Sequence, residues 1–409
     1  MQEVIVIGGG VVGLTSAWWL LEAGFRVTLL ERAAAVGTGA SFRNGGQLSY
    51  RYVAPLADAG VPLKAVQWLL QKDGPLRFSL EGDPRQWSWL ARFLFNCSRS
   101  ANRRTTQQLL GLGELSRRAM AELNLPLAAF SWRDAGKLVV YRSPKVFTRA
   151  AALADAGETL TAQQCVTLEP ALAASQSQLA GGIFTPGEAV ADCHAFCEML
   201  KARLLAHPNF LGVVHAEASA LIARQGRIAG LATTSGVLSS DHYVLAAGMQ
   251  SRELAATADM KLPIYPLKGY SLSAPIAAAH LAPEISVTDF ERKVLYARID
   301  RHLRVAAMVD LVGVDARIDQ DRIDSLLRIA RETMPQAADY AQAEPWAGLR
   351  PATPNSAPIL GPSPYANLWL NVGHGPLGFT FACGSASVLS ALMRGKPAPI
   401  ALDGLLYRP

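Results

Sequence analysis

VIVIGGGVVG, residues 4–13, is the stretch that decides the fold. Its first four residues form a short, unbroken β-branched and apolar run, which is typical of a parallel strand buried on both faces. Gly8, Gly10 and Gly13 follow with the spacing GxGxxG. In such a turn the first glycine permits a tight bend, the second lets backbone approach a pyrophosphate, and the third lets helix and strand pack closely.

The residues after this turn complete the pattern. LTSAWWLLEAG, residues 14–24, predicts a helix closed by Gly24, and RVTLL, residues 26–30, predicts a second strand that ends at Glu31. A helix start holds phosphates, and an acid at the end of the second strand accepts hydrogen bonds from ribose hydroxyls and repels a 2′-phosphate. The sequence therefore predicts a Rossmann-like unit that binds a dinucleotide.

The stretch after Glu31 favours FAD over NAD. Residues 33–49 are mostly small or polar, which suits an unhindered backbone along a ribityl chain and a flavin. A second marker is the strand at 241–251, which ends in small residues able to pass beside the dinucleotide. The residues predicted to contact the cofactor in these segments are Gly8, Gly10, Val11, Val12, Gly13, Glu31, Arg32, Ser41, Asn44, Gly45, Gly46, Gln47, Ala218, Ala247 and Gly248.

Composition narrows the class of protein. The 409 residues are 50% hydrophobic and 18% charged, which indicates an ordered globular chain of about two or three domains. The net charge of +6 has no basic run, so we expect no nucleic-acid partner. The five cysteines and seven histidines show no metal-ligand spacing, so we predict free thiols, buried at Cys193 and Cys197, and no metal site.

Nothing in the sequence predicts export or a membrane span. The chain begins without a cationic n-region, and no uncharged apolar stretch reaches about 18 residues. We therefore expect a cytoplasmic protein, and peripheral contact with the inner face of the cell membrane stays open as an alternative.

A second glycine-rich turn, NVGHGPLGFTFACGS at 371–385, also leads into a predicted helix. Together with the N-terminal fingerprint, VPLKAVQWLL (61–70), PLKGYSL (266–272) and WAGLRPATPNSAPILG (346–361), it resembles the FAD-dependent D-amino acid dehydrogenases. That group belongs to the D-amino acid oxidase, glycine oxidase and sarcosine oxidase fold family, and the resemblance covers nearly the whole chain.

The resemblance implies noncovalent FAD and an α/β architecture of two domains. A Rossmann-like FAD-binding domain (1–58, 144–255 and 345–409) would interleave with an α+β substrate domain of mixed, largely antiparallel sheet plus helices (59–143 and 256–344). It also implies that the late turn reaches the isoalloxazine ring and stabilises negative charge there, whereas His374 is structural. The residues concerned are Gly375, Pro376, Leu377, Gly378 and Thr380.

The implied reaction is oxidative deamination of a D-amino acid or D-imino acid, with electrons passed to a quinone or another non-oxygen acceptor. A D-hydroxyproline dehydrogenase and a peroxide-producing oxidase remain alternatives, as does a non-catalytic flavin-binding protein. A pyridine-nucleotide reductase is disfavoured because the chain has one dinucleotide fingerprint. A neutral amine can release its α-hydrogen as hydride without an acid–base residue, so none is predicted.

The substrate carboxylate needs a cationic partner, and the resemblance to glycine oxidase gives that role to Arg350. Tyr270, Tyr296 and Tyr52 are the predicted aromatic hydroxyl contacts, each with a packed tyrosine as the alternative. The chain departs from the group at 304–310, which read RVAAMVD in place of RVGGM followed by Glu, and at the bulky pair Phe42-Arg43.

Residues 62–118 differ from the flanking segments because they are rich in tryptophan and are predicted to be helical. Asp83-Pro84 predicts a helix start, with Trp87, Leu90, Ala91 and Leu94 on one face and Trp89 and Phe93 on another. We favour a helical layer buried against the substrate domain. A membrane-facing surface or a lid over the site is the alternative.

Overall fold

The computed structural model describes residues 1–69, 74–154 and 157–408. The strands are β1 (Glu3–Ile7), β2 (Arg26–Glu31), β3 (Gln47–Leu48), β4 (Leu76–Phe78), β5 (Lys137–Tyr141), β6 (Glu158–Leu160), β7 (Gly181–Thr185), β8 (Ala189–Val190), β9 (Phe210–His215), β10 (Ala218–Arg224), β11 (Arg227–Thr233), β12 (Gly236–Leu238), β13 (His242–Leu245), β14 (Tyr265–Pro275), β15 (Ser286–Asp289), β16 (Val294–Ile299), β17 (His302–Leu311), β18 (Glu344–Ala352), β19 (Ile359–Pro362) and β20 (Leu368–Val372). The α-helices are α1 (Val11–Glu22), α2 (Val61–Leu69), α3 (Pro84–Asn96), α4 (Arg99–Glu122), α5 (Pro144–Ala151), α6 (Ala162–Leu168), α7 (Cys193–Leu205), α8 (Ser251–Ala256), α9 (Gln320–Thr333) and α10 (Gly378–Met393). Short 3₁₀ turns lie at Leu127–Phe130, Pro170–Gln178, Gly248–Gln250, Tyr340–Gln342 and Gly375–Leu377.

A six-stranded sheet is built from both ends of the chain. Its strand order is β19-β20-β13-β1-β2-β9, with every pair parallel except β19–β20. The apolar residues of β1 are buried, as a strand in the middle of a parallel sheet requires. The strand–helix–strand unit predicted from the first thirty residues therefore lies at the centre of this sheet.

Helices α1 and α10 pack together beside the six-stranded sheet. The hydroxyl of Thr15 donates to the carbonyl of Ala382 (3.1 Å), and that of Ser390 donates to the carbonyl of Trp19 (3.0 Å). Side chains from α1, α7 and α10 share one core with β1 and β2. The two glycine-rich helix starts are thereby fixed relative to each other.

A larger sheet supplies the second layer. Its order is β18-β14-β17-β16-β15-β5-β7-β6, and β4 pairs with β17 at the side. Only the β15–β5 and β17–β4 pairs are parallel, so the sheet is mixed and largely antiparallel. Helix α9 packs on the face opposite the six-stranded sheet's glycine turns, and its Leu326 and Ile323 join Leu272 and Val305 in a core. The fold is the α/β arrangement that the sequence predicted.

The sheet layout departs from the predicted domain division between 144 and 185. That division gave these residues to the FAD-binding domain, but β7 pairs with β5, and β6 with β7, at the end of the nine-stranded sheet. Val139 on β5 lies opposite Ile183 on β7, although α5, β6 and α6 lie between the two strands in the chain. No local sequence pattern records such a distant pairing.

Helix α3 begins as predicted, because the Asp83 carboxylate accepts from the backbone N–H of Arg85 and proline occupies the first turn. Its Trp89 face packs inward: the ring stacks on Phe93 with centroids 5.2 Å apart, and its N–H donates to the carbonyl of Ala352 (2.9 Å). Trp87 and Leu94 on the other face are 51% and 55% exposed. The helix is thus half a buried layer and half an open apolar surface. The sequence VPLKAVQWLLQK also predicts a helix over 61–72; α2 covers its first nine residues, and positions 70–72 lie outside the described residues.

Within the described ranges, one helix is long and apolar enough by composition to cross a membrane, contrary to the expectation that no uncharged apolar stretch reaches about 18 residues. It is the continuous helical segment Gly375–Met393, and 61% of its apolar window is buried inside the protein. It contacts α1 and α4 through Ala382 and Gly384, whose N–H donates to the hydroxyl of Ser116 (3.0 Å).

Candidate functional site

A cavity of about 2920 Å³ is lined by residues of both large sheets. The N-terminal glycine turn, the 41–47 segment, the end of β13 and the start of α10 all line it. Its volume exceeds the range of about 300–1,000 Å³ that holds a drug-sized ligand. The cavity therefore has room for an extended dinucleotide and a second small molecule.

The turn between β1 and α1 needs glycines, because a side chain at Gly8 or Gly13 would clash with the backbone. Gly8 has φ +113°, and a Cβ there would lie 2.6 Å from the carbonyl oxygen of Ala246, the residue after β13. A Cβ on Gly13 would lie 1.8 Å from the carbonyl oxygen of Gly8. These contacts leave no room for any other residue, and they hold the first turn of α1 against the cavity.

The first turn of α1 offers backbone N–H groups that have no acceptor within the helix. Val11 donates its N–H to the hydroxyl of Ser41 (3.1 Å), and Val12 lines the cavity beside it. Such a helix start attracts phosphate through both its N–H groups and its dipole. The geometry suits a pyrophosphate at this point.

Glu31 lies at the end of β2, beside the glycine turn. One carboxylate oxygen accepts from the N–H of Gly9 (2.7 Å) and the other from the N–H of Ala33 (2.9 Å). The side chain lines the cavity next to Arg32. A ribose lying over this turn would find the carboxylate held in place by two backbone donors.

The 41–49 segment crosses the cavity beneath the nine-stranded sheet. The carbonyl of Asn44 accepts from Arg304 (2.6 Å), and a Cβ on Gly46 would meet Ile299 at 2.3 Å. Thr380, in the first turn of α10, accepts from the N–H of Ser49 (3.3 Å) and donates to the carbonyl of Gln47 (3.5 Å). The segment is therefore tied both to the sheet and to the second glycine-rich helix start.

The 3₁₀ turn before α10 brings Gly375, Pro376 and Leu377 to the cavity wall, with Gly378 next to them. His374 lies behind this turn, with its Nε2 and the hydroxyl of Ser385 3.1 Å apart. Burial lowers its pKa to about 3, so the imidazole stays neutral at physiological pH. Its contacts suit the structural role predicted for it.

Arg350 reaches the cavity from β18. Its guanidinium lies flat over Gly269, where a Cβ would come within 2.1 Å of Nη2, and its Nη1 donates to the carbonyl of Met308 (3.0 Å). Met308 has φ +70°, an unusual backbone conformation for this residue type, next to a register shift between β14 and β17. Desolvation lowers the pKa of Arg350 to about 10, and the charge of Asp310 opposes this.

The described part of the chain supplies no ion-pair partner for Arg350. Asp310 forms a buried ion pair with Arg322 on α9 and also accepts from the hydroxyl of Tyr270 (3.1 Å). A guanidinium that faces a cavity without a carboxylate partner has unused donors for a ligand anion.

Tyr270 and Tyr296 are both buried, and Tyr270 lines the cavity whereas Tyr296 does not. The hydroxyl of Tyr270 donates to Asp310 (3.1 Å), which forms an ion pair with Arg322 on α9. Tyr296 lies in the core behind the sheet, as the packed-tyrosine alternative describes. The hydroxyl of Tyr270 has a protein partner, and its contact with a substrate stays a prediction.

Tyr52 does line the cavity, with its ring 4.7 Å from the Nζ atom of Lys137. Lys137 is buried, and its ammonium donates to Gln47 (2.6 Å) and Ser49 (3.1 Å). Burial lowers the pKa of Lys137 from its ordinary value of 10.5 to about 8, with the charge of Glu188 opposing the shift. This buried lysine was not predicted, because KLVVY reads as an ordinary strand.

Most residues predicted from the sequence meet at this one cavity. Gly13 and Thr380 lie immediately behind its wall, where they pack or hydrogen-bond as described. The predicted cofactor residues that line the cavity are Gly8, Gly10, Val11, Val12, Glu31, Arg32, Ser41, Asn44, Gly45, Gly46, Gln47, Ala218, Ala247, Gly248, Gly375, Pro376, Leu377 and Gly378.

The prediction overlooked three residues that surround Arg350. Gly269 and Gly348 lie opposite each other on β14 and β18, and the ring of Trp346 covers Gly348. A signal was present in the sequence, since a glycine inside a strand often marks the close approach of another group.

The cysteines lie apart from this chemistry. All five are free thiols, and Cys193 and Cys197 are buried in α7. Among the described residues, no group of three His, Cys, Asp or Glu side chains could hold a metal ion.

Comparison with known proteins agrees with this geometry. Residues 3–392 match the family model for FAD dependent oxidoreductases. "D-amino acid dehydrogenase 2" of Pseudomonas aeruginosa is 48% identical, over 100% of this chain and 98% of that protein. "D-amino acid dehydrogenase 2" of Ralstonia nicotianae is 44% identical, over 98% of each chain.

Solved structures share the fold. Glycine oxidase from Geobacillus kaustophilus superposes with a TM-score of 0.73 at 20% identity and covers 100% of this chain and 99% of its own. At that identity the likeness concerns the arrangement of sheets and helices alone.

Proposed function

Because this chain belongs to the FAD dependent oxidoreductase family, and within it to the D-amino acid dehydrogenases, we propose that it oxidises D-amino acids at the carbon–nitrogen bond. The chain is an FAD-dependent oxidoreductase of the D-amino acid dehydrogenase type. One observation carries the substrate proposal: the Arg350 guanidinium, which has no ion-pair partner in the part of the chain that the structure describes, lines the cavity together with both glycine-rich turns.

The residues present fit FAD. Gly8 and Gly13 keep the N-terminal turn free of side chains, the start of α1 would hold the pyrophosphate, and Glu31 would hold the ribose. The start of α10 would place N–H groups and a positive helix end beside the ring. When bound, FAD supplies the hydride acceptor, its N5 atom.

Arg350 would fix the substrate by its carboxylate. A bidentate contact between guanidinium and carboxylate restricts both the position and the rotation of the ligand. The α-hydrogen would then have one direction relative to the cavity wall, which is the main contribution a protein makes to this chemistry. The neutral amine would lose hydride from its α-carbon to give an iminium ion, and water would hydrolyse the iminium ion to a 2-keto acid and ammonium.

A quinone or another non-oxygen acceptor would take the electrons. The exposed apolar face of α3 supports this proposal, since Trp87, Leu94 and Phe95 lie beside the basic residues Arg92 and Arg99. Such a surface suits contact with the headgroup region of an anionic membrane, where quinones reside. The alternatives are an oxidase that releases peroxide and a dehydrogenase of D-hydroxyproline.

A substrate panel tests the proposal. The FAD-loaded protein is mixed without oxygen with D-alanine, D-phenylalanine, L-alanine and cis-4-hydroxy-D-proline, and the flavin absorbance is followed. We expect bleaching by the D-amino acids and not by L-alanine. Faster bleaching by the hydroxyproline would favour the secondary-amine alternative, and no bleaching by any amine would contradict the proposal.

A second measurement identifies the acceptor. In air, with the best substrate, we expect reduction of a soluble quinone analogue and little peroxide. Release of one peroxide for each substrate oxidised would show that the protein is an oxidase and not a dehydrogenase. Phe95→Ser, at an exposed apolar side chain of α3 that does not line the cavity, should leave flavin reduction unchanged and weaken binding to anionic vesicles.

A further inference from the structure

Two glycines make a bare patch on the cavity face of the nine-stranded sheet. Gly269 on β14 and Gly348 on β18 are direct partners in the antiparallel register, and both line the cavity. Partner residues on antiparallel strands direct their Cβ positions to the same face, with Cα atoms about 4.5–5.5 Å apart. The patch is therefore two residues wide and has no side chains of its own.

Two flat side chains lie on this patch. A Cβ on Gly269 would lie 2.1 Å from Nη2 and 2.2 Å from Cζ of Arg350. A Cβ on Gly348 would lie 2.0 Å from Cη2 of Trp346. Because Trp346 and Arg350 stand two residues on either side of Gly348, they point to the same face and converge over the glycines.

The convergence fixes the spacing between a cation and an aromatic wall. Each side-chain tip rests on one of two glycines that are adjacent across the strands, so guanidinium and indole are neighbours. We infer that Gly269 and Gly348 are positioning residues which lay Arg350 and Trp346 side by side, so that Trp346 is the wall against which the substrate side chain packs.

This inference rests on the proposed function, in which Arg350 holds the substrate carboxylate. An α-amino acid bound in that way carries its side chain a few bonds from the carboxylate, within reach of the indole. The indole is a large apolar surface, and it favours apolar and aromatic side chains over charged ones. Trp346 therefore determines which substrate side chains are preferred, and Gly269 determines how tightly the substrate carboxylate is bound.

The two glycines have separable effects. Gly269→Ala should displace the guanidinium and raise the Kd of every carboxylate ligand about tenfold or more, including unreactive propionate read from the flavin spectrum. The ratio of kcat/KM for D-phenylalanine to that for D-alanine should stay as in the native protein. Gly348→Ala should displace the indole, leave the propionate Kd within about twofold, and change that ratio about tenfold.

Double variants show whether each glycine acts through its neighbour. In the presence of Arg350→Met, Gly269→Ala should add no further loss of propionate binding, and with Trp346→Leu, Gly348→Ala should not change the substrate ratio further. Trp346→Leu alone keeps both glycines and should shift the same ratio, which provides the test if Gly348→Ala does not fold. Gly111→Ala, on the exposed side of α4 with open space around it, is the matched control.

The outcomes separate the two proposals. An unchanged propionate Kd in Arg350→Met would contradict the proposed function itself. A raised Kd in Arg350→Met with an unchanged Kd in Gly269→Ala would overturn only the positioning role. An unaltered substrate ratio in Trp346→Leu would remove Trp346 from the choice of side chain.

Discussion

Glycines serve the two sheets of this protein in different ways. At the carboxyl end of β1, in the middle of the six-stranded sheet, a Cβ on Gly8 or Gly13 would strike main-chain carbonyl atoms, which cannot move without disturbing the fold. On the nine-stranded sheet, a Cβ on Gly269 or Gly348 would strike the tips of Arg350 and Trp346. The first pair shapes a backbone, and the second pair places side chains.

The difference follows from what each sheet would hold. A pyrophosphate is bound by backbone N–H groups, which any sequence can offer once the chain bends correctly. A particular amino acid must be recognised by particular side chains. Changes at the six-stranded sheet should therefore affect cofactor content and stability, whereas changes at the nine-stranded sheet should affect kinetics.

Gly13→Ala is expected to have the largest effect. The new Cβ would lie 1.8 Å from the carbonyl oxygen of Gly8, so α1 and β1 must separate, at a cost of about 4 kcal/mol in the free energy of unfolding. Denaturation curves and the flavin content of the purified protein measure this. Gly111→Ala, also a helical glycine but in open space, is the control and should be neutral or stabilising. A Gly13→Ala protein with full FAD content and altered kinetics would reverse the comparison.

Arg350→Met should show the opposite behaviour. Loss of the guanidinium removes a charge-assisted contact worth about 3 kcal/mol, so kcat/KM should fall roughly 100-fold. FAD content should remain native, because the residue contacts Met308 and Gly269 on the nine-stranded sheet. Steady-state kinetics and the flavin spectrum are the measurements, and loss of flavin from this variant would show that the two sheets are not functionally separate.

Lys137→Met should change how the free energy of unfolding depends on pH. Burial lowers the pKa of Lys137 to about 8, so between pH 8 and pH 10.5 the unfolded chain binds a proton that the folded chain does not. The contribution of this residue to the free energy of unfolding therefore increases as the pH rises through that window and is flat below it. Native minus variant free energy should increase by about 2 kcal/mol from pH 8 to pH 10.

The control for this measurement is Lys145→Met, an exposed lysine at the same cavity. It should leave the difference between native and variant protein constant across the range. A flat difference for Lys137→Met would mean that the ammonium is fully solvated in the folded protein.

Ser41→Ala should have the smallest effect. It removes the hydroxyl that accepts from the N–H of Val11, a buried hydrogen bond worth about 1 kcal/mol. Denaturation should detect this loss, and kcat should not change. Ser88→Ala, an exposed serine on α3, is the control and should stay within about 0.5 kcal/mol of the native protein. A kinetic effect of Ser41→Ala larger than its effect on stability would assign this side chain to the substrate side.

The part of the fold that would hold the cofactor could be predicted from the sequence, because its sequence signals are local. The order of strand, glycine turn, helix and acid occupies one continuous stretch, and β1, α1 and β2 lie where that stretch predicts them. The late glycine turn was equally visible. That the two turns line one cavity follows from the pairing of β13 with β1 and β20, which no local pattern records.

The nine-stranded sheet was harder to predict, because it joins segments that are distant in the sequence. Strands β6 and β7 are short; β7 pairs with β5 and β6 with β7, so their sheet could not be assigned from their own residues. Arg350 was predicted from a motif and lines the cavity, whereas Tyr296 lies in the core behind the sheet. Which residues of a strand face the cavity depends on its register with a distant partner strand, such as Gly269 opposite Gly348, and no local pattern gives that register.

The six-stranded sheet joins early and late strands, with β13 between β1 and β20, and this arrangement has a consequence for biosynthesis. β1 leaves the ribosome long before β20 and α10 are made, and at about 5–20 residues per second the interval is on the order of tens of seconds. During that time the apolar side of α1 is not yet covered by α10. Flavin binding would therefore occur late in synthesis. In a nascent chain that stalls before α10 is made, the apolar side of α1 would stay accessible to chaperones and proteases.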